Sequence, residues 1–148
     1  MAGSIIVIFV ILIVTFSWNA GVQKSANIGE LTSLTVSQRN MTSIQEVTLD
    51  AQKKITATLT TYGETNKPQS RTGMLSANDK AMIVKTLEKY DLASLKSEIP
   101  PPDATGSHLI VQEGGNTHDL ICVMSGSACS KLADELLSDF ASILSRQQ

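Results

Sequence analysis

The sequence predicts an α+β fold in which a long N-terminal α-helix, apolar in its first half and amphipathic in its second, packs on a small antiparallel sheet with two shorter helices. Three observations predict it: an uncharged apolar start, a helical spacing of apolar residues after it, and β-rich segments near the C-terminus. The 148 residues allow one modest domain beside the opening segment. We expect a hydrophobic helix over 1–25, its amphipathic continuation over 26–62, and a small globular domain over 63–148.

The opening segment is long enough to cross a membrane. Residues 1–23 carry no charge, and residues 5–16 are almost unbroken Ile, Val, Leu and Phe. As a helix, residues 1–23 would rise roughly 34 Å, close to the roughly 30 Å of the hydrocarbon layer of a bilayer. A cleaved secretory signal is disfavoured, because no basic residue precedes Ile5 and a cut after Ala20 leaves the bulky Trp18 at the −3 site.

Two orientations of a membrane-inserted segment stay open. The nearest basic residues, Lys24 and Arg39, follow the segment, and taken literally they place the rest of the chain in the cytoplasm. The orientation reverses if a basic leader preceded Met1 and was removed. The state of Cys122 and Cys129 depends on the same choice, because they are expected to pair outside the cytoplasm and to remain thiols inside it.

Apolar residues recur every three or four positions, with one gap at residue 38, between residues 28 and 62. No Gly or Pro lies between Glu30 and Tyr62, so neither residue type breaks a helix in this stretch. The pattern predicts one amphipathic helix that continues the opening segment into a helix of about 60 residues. The apolar positions are Ile28, Leu31, Leu34, Met41, Ile44, Val47, Ala51, Ile55, Leu59 and Tyr62.

The next stretch predicts a loop and a short helix. Residues 63–73 have turn composition throughout and indicate an exposed loop. A helix is expected after them, with Ser76 and Asp79 at the spacing of a capping box. The prolines at 100–102 end any helix, since they lack N–H donors and restrict the residues before them.

A hairpin and a last helix are predicted near the C-terminus. The β-rich stretches 108–113 and 117–124 are joined through Gly114 and Gly115. With that two-residue turn, residue 108 faces 121 and residue 118 faces 111. Ser127 is expected to cap the final helix.

The sequence contains no set of residues that indicates catalysis, a cofactor or a metal. The net charge of −2 and the pI near 5.6 offer no basic surface for nucleic acid. His108 and His118 have no carboxylate or thiol at a zinc-site spacing. On a strand, His118 and Cys122 lie about 13 Å apart, too far for a base and its nucleophile. We therefore expect a protein that is not an enzyme.

The order of these elements resembles that of type IV pilins. The stretch HDLICVMSGSACSKLADEL is similar to the strand and cysteine-containing helix of the type IVb branch, and PPPDATGSHLIVQ is similar to the approach to its preceding strand. The resemblance implies a leader cut before Met1 and methylation of the new N-terminus. The sequence departs from the family at Ile5, where a glutamate is usual. It also ends at Gln148, before the late cysteine that usually pairs with the helix cysteine.

The function that this resemblance implies is a structural subunit of an extracellular pilus-like filament. The subunit is expected to wait in the inner membrane and then to be polymerised by a pilus assembly machinery, with copies of itself as partners. The alternative is a single-pass membrane-anchored small binding module that does not polymerise. The residues expected to pack in the filament core are Ile5, Ile6, Ile8, Phe9, Leu12, Ile13 and Phe16.

Overall fold

Six antiparallel strands form one sheet, and two helices cover one of its faces. The structure is a computed structural model that describes residues 29–63, 67–100, 104–123 and 125–147. In chain order its elements are β1 Leu31–Arg39, β2 Ser43–Leu49, β3 Lys54–Thr61, β4 Gln69–Met74, α1 Ala77–Glu88, β5 Gly106–Glu113, β6 Asn116–Cys122 and α2 Ala128–Ser145. Across the sheet the order is β4-β3-β2-β1-β5-β6, so β4 and β6 are the two outer strands.

The predicted amphipathic helix over 26–62 is wrong, because the described part of this stretch forms β1, β2 and β3. The predicted pilin-like fold is therefore also wrong: the described residues contain no long N-terminal helix. The predicted helix over 1–25 lies outside the described residues. Residues 29–62 contain eight threonines, and this β-branched residue packs well on a pleated surface and favours strands.

A β-bulge in β1 explains one of the misleading helical spacings. The register between β1 and β5 shifts between Leu31 and Ser33. The extra residue lets Leu31 and Leu34 both be buried, although three positions separate them. After the bulge the strand alternates normally, with Leu34 and Val36 buried and Thr35 half-exposed.

The turns between these strands use Asn and Asp in place of Gly and Pro. The side-chain Oδ1 of Asn40 accepts from the backbone N–H groups of Thr42, at 2.9 Å, and Ser43, at 2.7 Å. Asp50 has the same role in the turn before β3, where its Oδ1 accepts a hydrogen bond from the N–H of Lys54 at 2.9 Å. Such side-chain bonds replace the backbone partners that a turn leaves unpaired. The stretch therefore changes direction twice without Gly or Pro.

The C-terminal half agrees better with the sequence pattern. Helix α1 begins after Ser76, whose side chain accepts from the N–H of Asp79, and Ser127 caps α2 in the same way. The predicted hairpin register is confirmed, with residue 108 opposite 121 and residue 118 opposite 111. The predicted loop over 63–73 is wrong in part, because β4 begins at Gln69.

The hydrophobic core lies between the sheet and the two helices, on what we call the covered face of the sheet. Helix α2 contributes several fully buried side chains to it, among them Leu132, Leu136, Phe140 and Ile143. The helices run antiparallel, since Asp79 at the start of α1 pairs with Arg146 and Lys89 at its end pairs with Glu135. The other face of the sheet, the open face, carries no helix among the described residues.

Neither helix of the described ranges is long and apolar enough to span a membrane. The predicted location, an inner-membrane precursor that becomes an extracellular filament, is corrected accordingly, because the structure does not support it.

Candidate functional site

The outer side of β4 presents backbone groups that no described residue pairs. Strand β4 pairs with β3 on one side, with Ile55 opposite Gly73 and Thr56 opposite Thr72. The N–H of Leu75 donates to the carbonyl of Lys53 at 2.8 Å, which shows that the odd-numbered residues turn their backbone groups toward β3. The N–H and C=O groups of residues 70, 72 and 74 therefore point outward. Residues 69–72 are all exposed.

A glutamine side chain closes one end of this edge. The Nε2 of Gln147 donates to the carbonyl of Met74 at 2.7 Å, and its Oε1 accepts from the N–H of Met74 at 3.0 Å. Gly73 makes room for this contact, since a Cβ there would lie 2.8 Å from the Cδ2 of Leu144 and would also meet Gln147. Only Ser70 and Thr72 keep outward backbone groups with no partner among the described residues.

The outer side of β6 is arranged in a similar way at the opposite end of the sheet. The closing pair of the hairpin, Glu113 opposite Asn116, faces inward, so residues 117, 119 and 121 turn their backbone groups outward. The segment before β5 covers Ile121: its N–H donates to the Oγ of Ser97 at 2.9 Å, and its carbonyl accepts from the N–H of Glu98 at 2.8 Å. The outward groups of residues 117 and 119 have no described partner.

The two edges carry opposite charge. Residues 54–61 and 67–76 contain Lys54, Lys67 and Arg71 and no acidic residue. Residues 104–123 contain Glu113 and Asp119 and neither Lys nor Arg. The β4 edge is therefore basic and the β6 edge acidic, although the net charge of the chain is only −2.

The open face of the sheet is polar and rich in hydroxyl groups. One row across four strands consists of threonines, because Thr72 faces Thr56, Thr56 faces Thr48 and Thr48 faces Thr35. These side chains are half-buried or exposed. The same face also carries three half-buried isoleucines, Ile44, Ile110 and Ile121, so apolar side chains interrupt its polar rows.

The concave sites that adjoin the sheet include one on each of its faces. A groove of about 390 Å³ on the open face is lined by Arg39, Glu46 and His108, with Pro100 at one wall. A smaller cleft of about 220 Å³ lies on the covered face between α2 and β2–β4, where Leu59 remains 40% exposed. Within the described ranges, no group of three or more His, Cys, Asp or Glu residues is placed to hold a metal ion.

The two histidines make separate carboxylate contacts. The Nε2 of His108 lies 2.7 Å from the Oδ1 of Asp119, and the Nε2 of His118 lies 3.1 Å from the Oε1 of Glu113. The other oxygen of Glu113, Oε2, is buried without a hydrogen-bond partner among the described residues. Each contact joins neighbouring strands, and neither has a nucleophile within the same set of contacts.

Polar contacts also link the two helices and shift several pKa values. The hydrogen bond from Lys89 lowers the pKa of the Glu135 carboxyl, and the same bond raises the pKa of the lysine. Burial raises the pKa of Tyr90, whose OH donates to Glu135 at 3.0 Å. The bond from Ser76 lowers the pKa of Asp79. These groups lie on the outer rim of the α1–α2 contact and away from both grooves.

Of the site residues expected from the sequence, the structure describes only the two cysteines. Cys122 at the end of β6 and Cys129 in the first turn of α2 form a disulfide with a Cα–Cα distance of 5.4 Å. Met1 and the seven apolar residues expected in a filament core lie outside the described residues, and the filament function that depends on them stays a prediction. The sequence analysis missed the β4 edge, because it placed residues 54–61 in a helix and residues 69–73 in a loop. It predicted a strand over 117–124, but it did not predict that this strand is an outer one.

Comparison with known proteins does not add a family to this description. The chain matches no protein-family model, and no curated protein is similar enough to it to count as a relative.

Proposed function

We propose that residues 29–147 form a non-catalytic interaction module that binds an extended partner segment by adding it as a strand to the sheet. The observation that carries this proposal is the exposed outer side of β4, where the backbone groups of Ser70 and Thr72 have no described partner. Backbone hydrogen bonds of this kind give affinity in strand addition, and the flanking side chains give selectivity.

The partner segment that fits this edge is acidic. Arg71 lies between the two outward residues, and Lys54 and Lys67 lie on the neighbouring strand and just before β4. No acidic residue within 67–76 offsets them. Basic side chains at an edge disfavour pairing with another basic strand and favour an acidic one.

The test is amide hydrogen exchange of the full chain with two capped peptides as probes. One peptide alternates threonine with aspartate and the other alternates threonine with lysine. The aspartate peptide is expected to slow exchange at Ser70 and Thr72 by about tenfold or more at saturation, and the lysine peptide to leave it unchanged. Unchanged exchange at both residues with the aspartate peptide in millimolar excess would overturn the proposal.

Two proline variants provide the matched control. In Thr72→Pro the lost N–H points outward, so the variant is expected to fold normally and to lose the peptide effect. In Arg71→Pro the lost N–H faces β3, so this variant is expected to lose stability instead. A Thr72→Pro variant that folds normally and still binds the aspartate peptide at wild-type strength would contradict strand addition at this edge.

A further inference from the structure

We propose that the extended segment bound at β4 is strand β6 of a second copy of this chain. This inference rests on the function proposed above. The inference assigns one partner to the β4 edge and makes the β6 edge the complementary binding surface. The supporting observations are the strand directions, the positions of the free backbone groups, and the charges of the two edges.

The strand directions are compatible with this pairing. Every neighbouring pair in the sheet is antiparallel, so β4 runs opposite to β1, whereas β6 runs in the same direction as β1. A second copy shifted sideways therefore places its β6 antiparallel to β4 of the first copy. The helices of both copies then lie on the same face of one continuous sheet.

The free backbone groups select one register. Gln147 bonds to the backbone of Met74, and Ser97 and Glu98 bond to the backbone of Ile121. On each edge, two outward residues then have no backbone partner among the described residues. All four are paired only when Ser70 faces residue 119 and Thr72 faces residue 117 of the next copy. In this register Pro68, which has no N–H, faces Ile121, which needs no partner. The residue opposite the capped Ile121 therefore has no N–H that would be left without a partner.

The charges support the same arrangement. Arg71 comes to lie opposite His118 of the next copy, beside the carboxylate of Glu113 that His118 contacts. Asp119 comes to lie opposite Ser70, which adds no like charge. Pairing β4 with β4 in the register centred between Ser70 and Thr72 would instead place two copies of Arg71 opposite each other, and like charges directly opposite destabilise a strand pair.

Association of this kind is head-to-tail, because the two contacting edges are different. Each copy uses its β4 edge for one neighbour and its β6 edge for the other, so the interface is heterologous. The expected product is a row of copies whose length grows with protein concentration. High salt is expected to shorten the row, because the exposed edge charges are screened.

The experiment is sedimentation velocity of the full chain and two variants over a range of concentrations. Thr72→Pro blocks the β4 edge and Thr117→Pro blocks the β6 edge, and in each the lost N–H points outward, so folding is expected to be retained. Wild-type protein is expected to form species that grow with concentration, and each variant alone to be monomeric. An equimolar mixture of the two variants is expected to form dimers and nothing larger, because each partner keeps one usable edge.

Three other outcomes would overturn the pairing of β4 with β6 of a second copy. A wild-type protein that stays monomeric overturns the self-pairing, while peptide protection at Ser70 and Thr72 would still support the function proposed above. Dimers of Thr117→Pro alone would show β4 pairing with β4 and overturn the proposed partner edge. Assemblies that persist in both variants would arise elsewhere in the chain and also overturn it. Circular dichroism of each variant checks that a lost interaction does not reflect unfolding.

Discussion

The side chain of Gln147 pairs with the backbone of Met74 as a neighbouring strand would. Its amide donates to the Met74 carbonyl at 2.7 Å and accepts from the Met74 N–H at 3.0 Å. The contact joins the residues after α2 to the outer strand β4, 73 positions away in the sequence. Within the described ranges, it leaves Ser70 and Thr72 as the outward residues of β4 without a backbone partner, and natural sheets commonly limit edge pairing by covering an edge in this way.

The first prediction concerns this contact. Replacing Gln147 by Ala leaves the two backbone groups of Met74 to water, so the free energy of unfolding is expected to fall by about 1 kcal/mol. Urea denaturation measures the change. Gln52→Ala is the matched control, since the Gln52 side chain makes no hydrogen bond with a described residue, and it is expected to stay within about 0.5 kcal/mol of the wild type. Equal losses in both variants would contradict the role given to Gln147.

The second prediction compares two glycines. At Gly106 an added Cβ would lie 2.6 Å from the backbone oxygen of Cys122, which cannot move without shifting β6. At Gly73 the obstacles are the side chains of Leu144 and Gln147, which can turn away. We expect Gly106→Ala to cost about 3 kcal/mol and Gly73→Ala about 1 kcal/mol in urea unfolding. If Gly73→Ala cost more stability than Gly106→Ala, the close approach of β5 to the Cys122 carbonyl would not determine the cost of a side chain at position 106.

A double-mutant cycle tests the cause of the Gly73 effect. If Gln147 is the main obstacle, Gly73→Ala is expected to cost less in a chain that already carries Gln147→Ala. The coupling is expected to be about 0.5 kcal/mol or more. Strict additivity of the two changes would mean that Leu144, and not Gln147, restricts position 73.

The third prediction concerns the disulfide between Cys122 and Cys129. The two residues are seven positions apart, and in the chain-entropy model a loop of this size contributes about 2–3 kcal/mol. We expect reduction to lower the free energy of unfolding by about that amount, measured by denaturation with and without reductant. The Cys122→Ala/Cys129→Ala variant is expected to be insensitive to reductant. A wild-type protein with the same stability in both conditions would contradict the prediction.

The fourth prediction is a pH dependence from Glu135. The bond from Lys89 holds the pKa of this carboxyl below its ordinary value in the folded chain. The stability it contributes is therefore present above its pKa in the unfolded chain and is lost as the pH falls through the lowered folded pKa. We expect Glu135→Gln to lose less stability than the wild type between about pH 7 and about pH 3.

Glu88 provides the control for this measurement, because it forms no ion pair with a described residue. Glu88→Gln is expected to follow the pH profile of the wild type. If Glu135→Gln follows that profile too, the contact with Lys89 does not stabilise the folded chain in the way its geometry indicates.

Residues 29–62 show why part of the fold was not predictable from apolar spacing. Leu31 and Leu34 are three positions apart, as on a helix, yet both are buried in a strand because a bulge separates them. The two turns depend on Asn40 and Asp50, which bond to nearby backbone N–H groups. A prediction that counts only Gly and Pro as breaks cannot distinguish this arrangement from one long helix.

The sequence by itself determined the local features of the C-terminal half. The caps at Ser76 and Ser127, the two helices and the register of the β5–β6 hairpin follow from residues close together in the chain. Their interactions span few residues, so local propensity and turn chemistry are enough to specify them.

Only the tertiary structure decided that β1 lies between β2 and β5. The β1–β5 pairing joins residues 31–39 to residues 106–113. The sequence of neither segment indicates that it pairs with the other. That pairing fixes which strands lie inside the sheet and which are outer. The outward backbone groups of Ser70 and Thr72, which have no partner in the part of the chain that the structure describes, are therefore a property of the assembled sheet. Which strand is outermost depends on how all the strands pair.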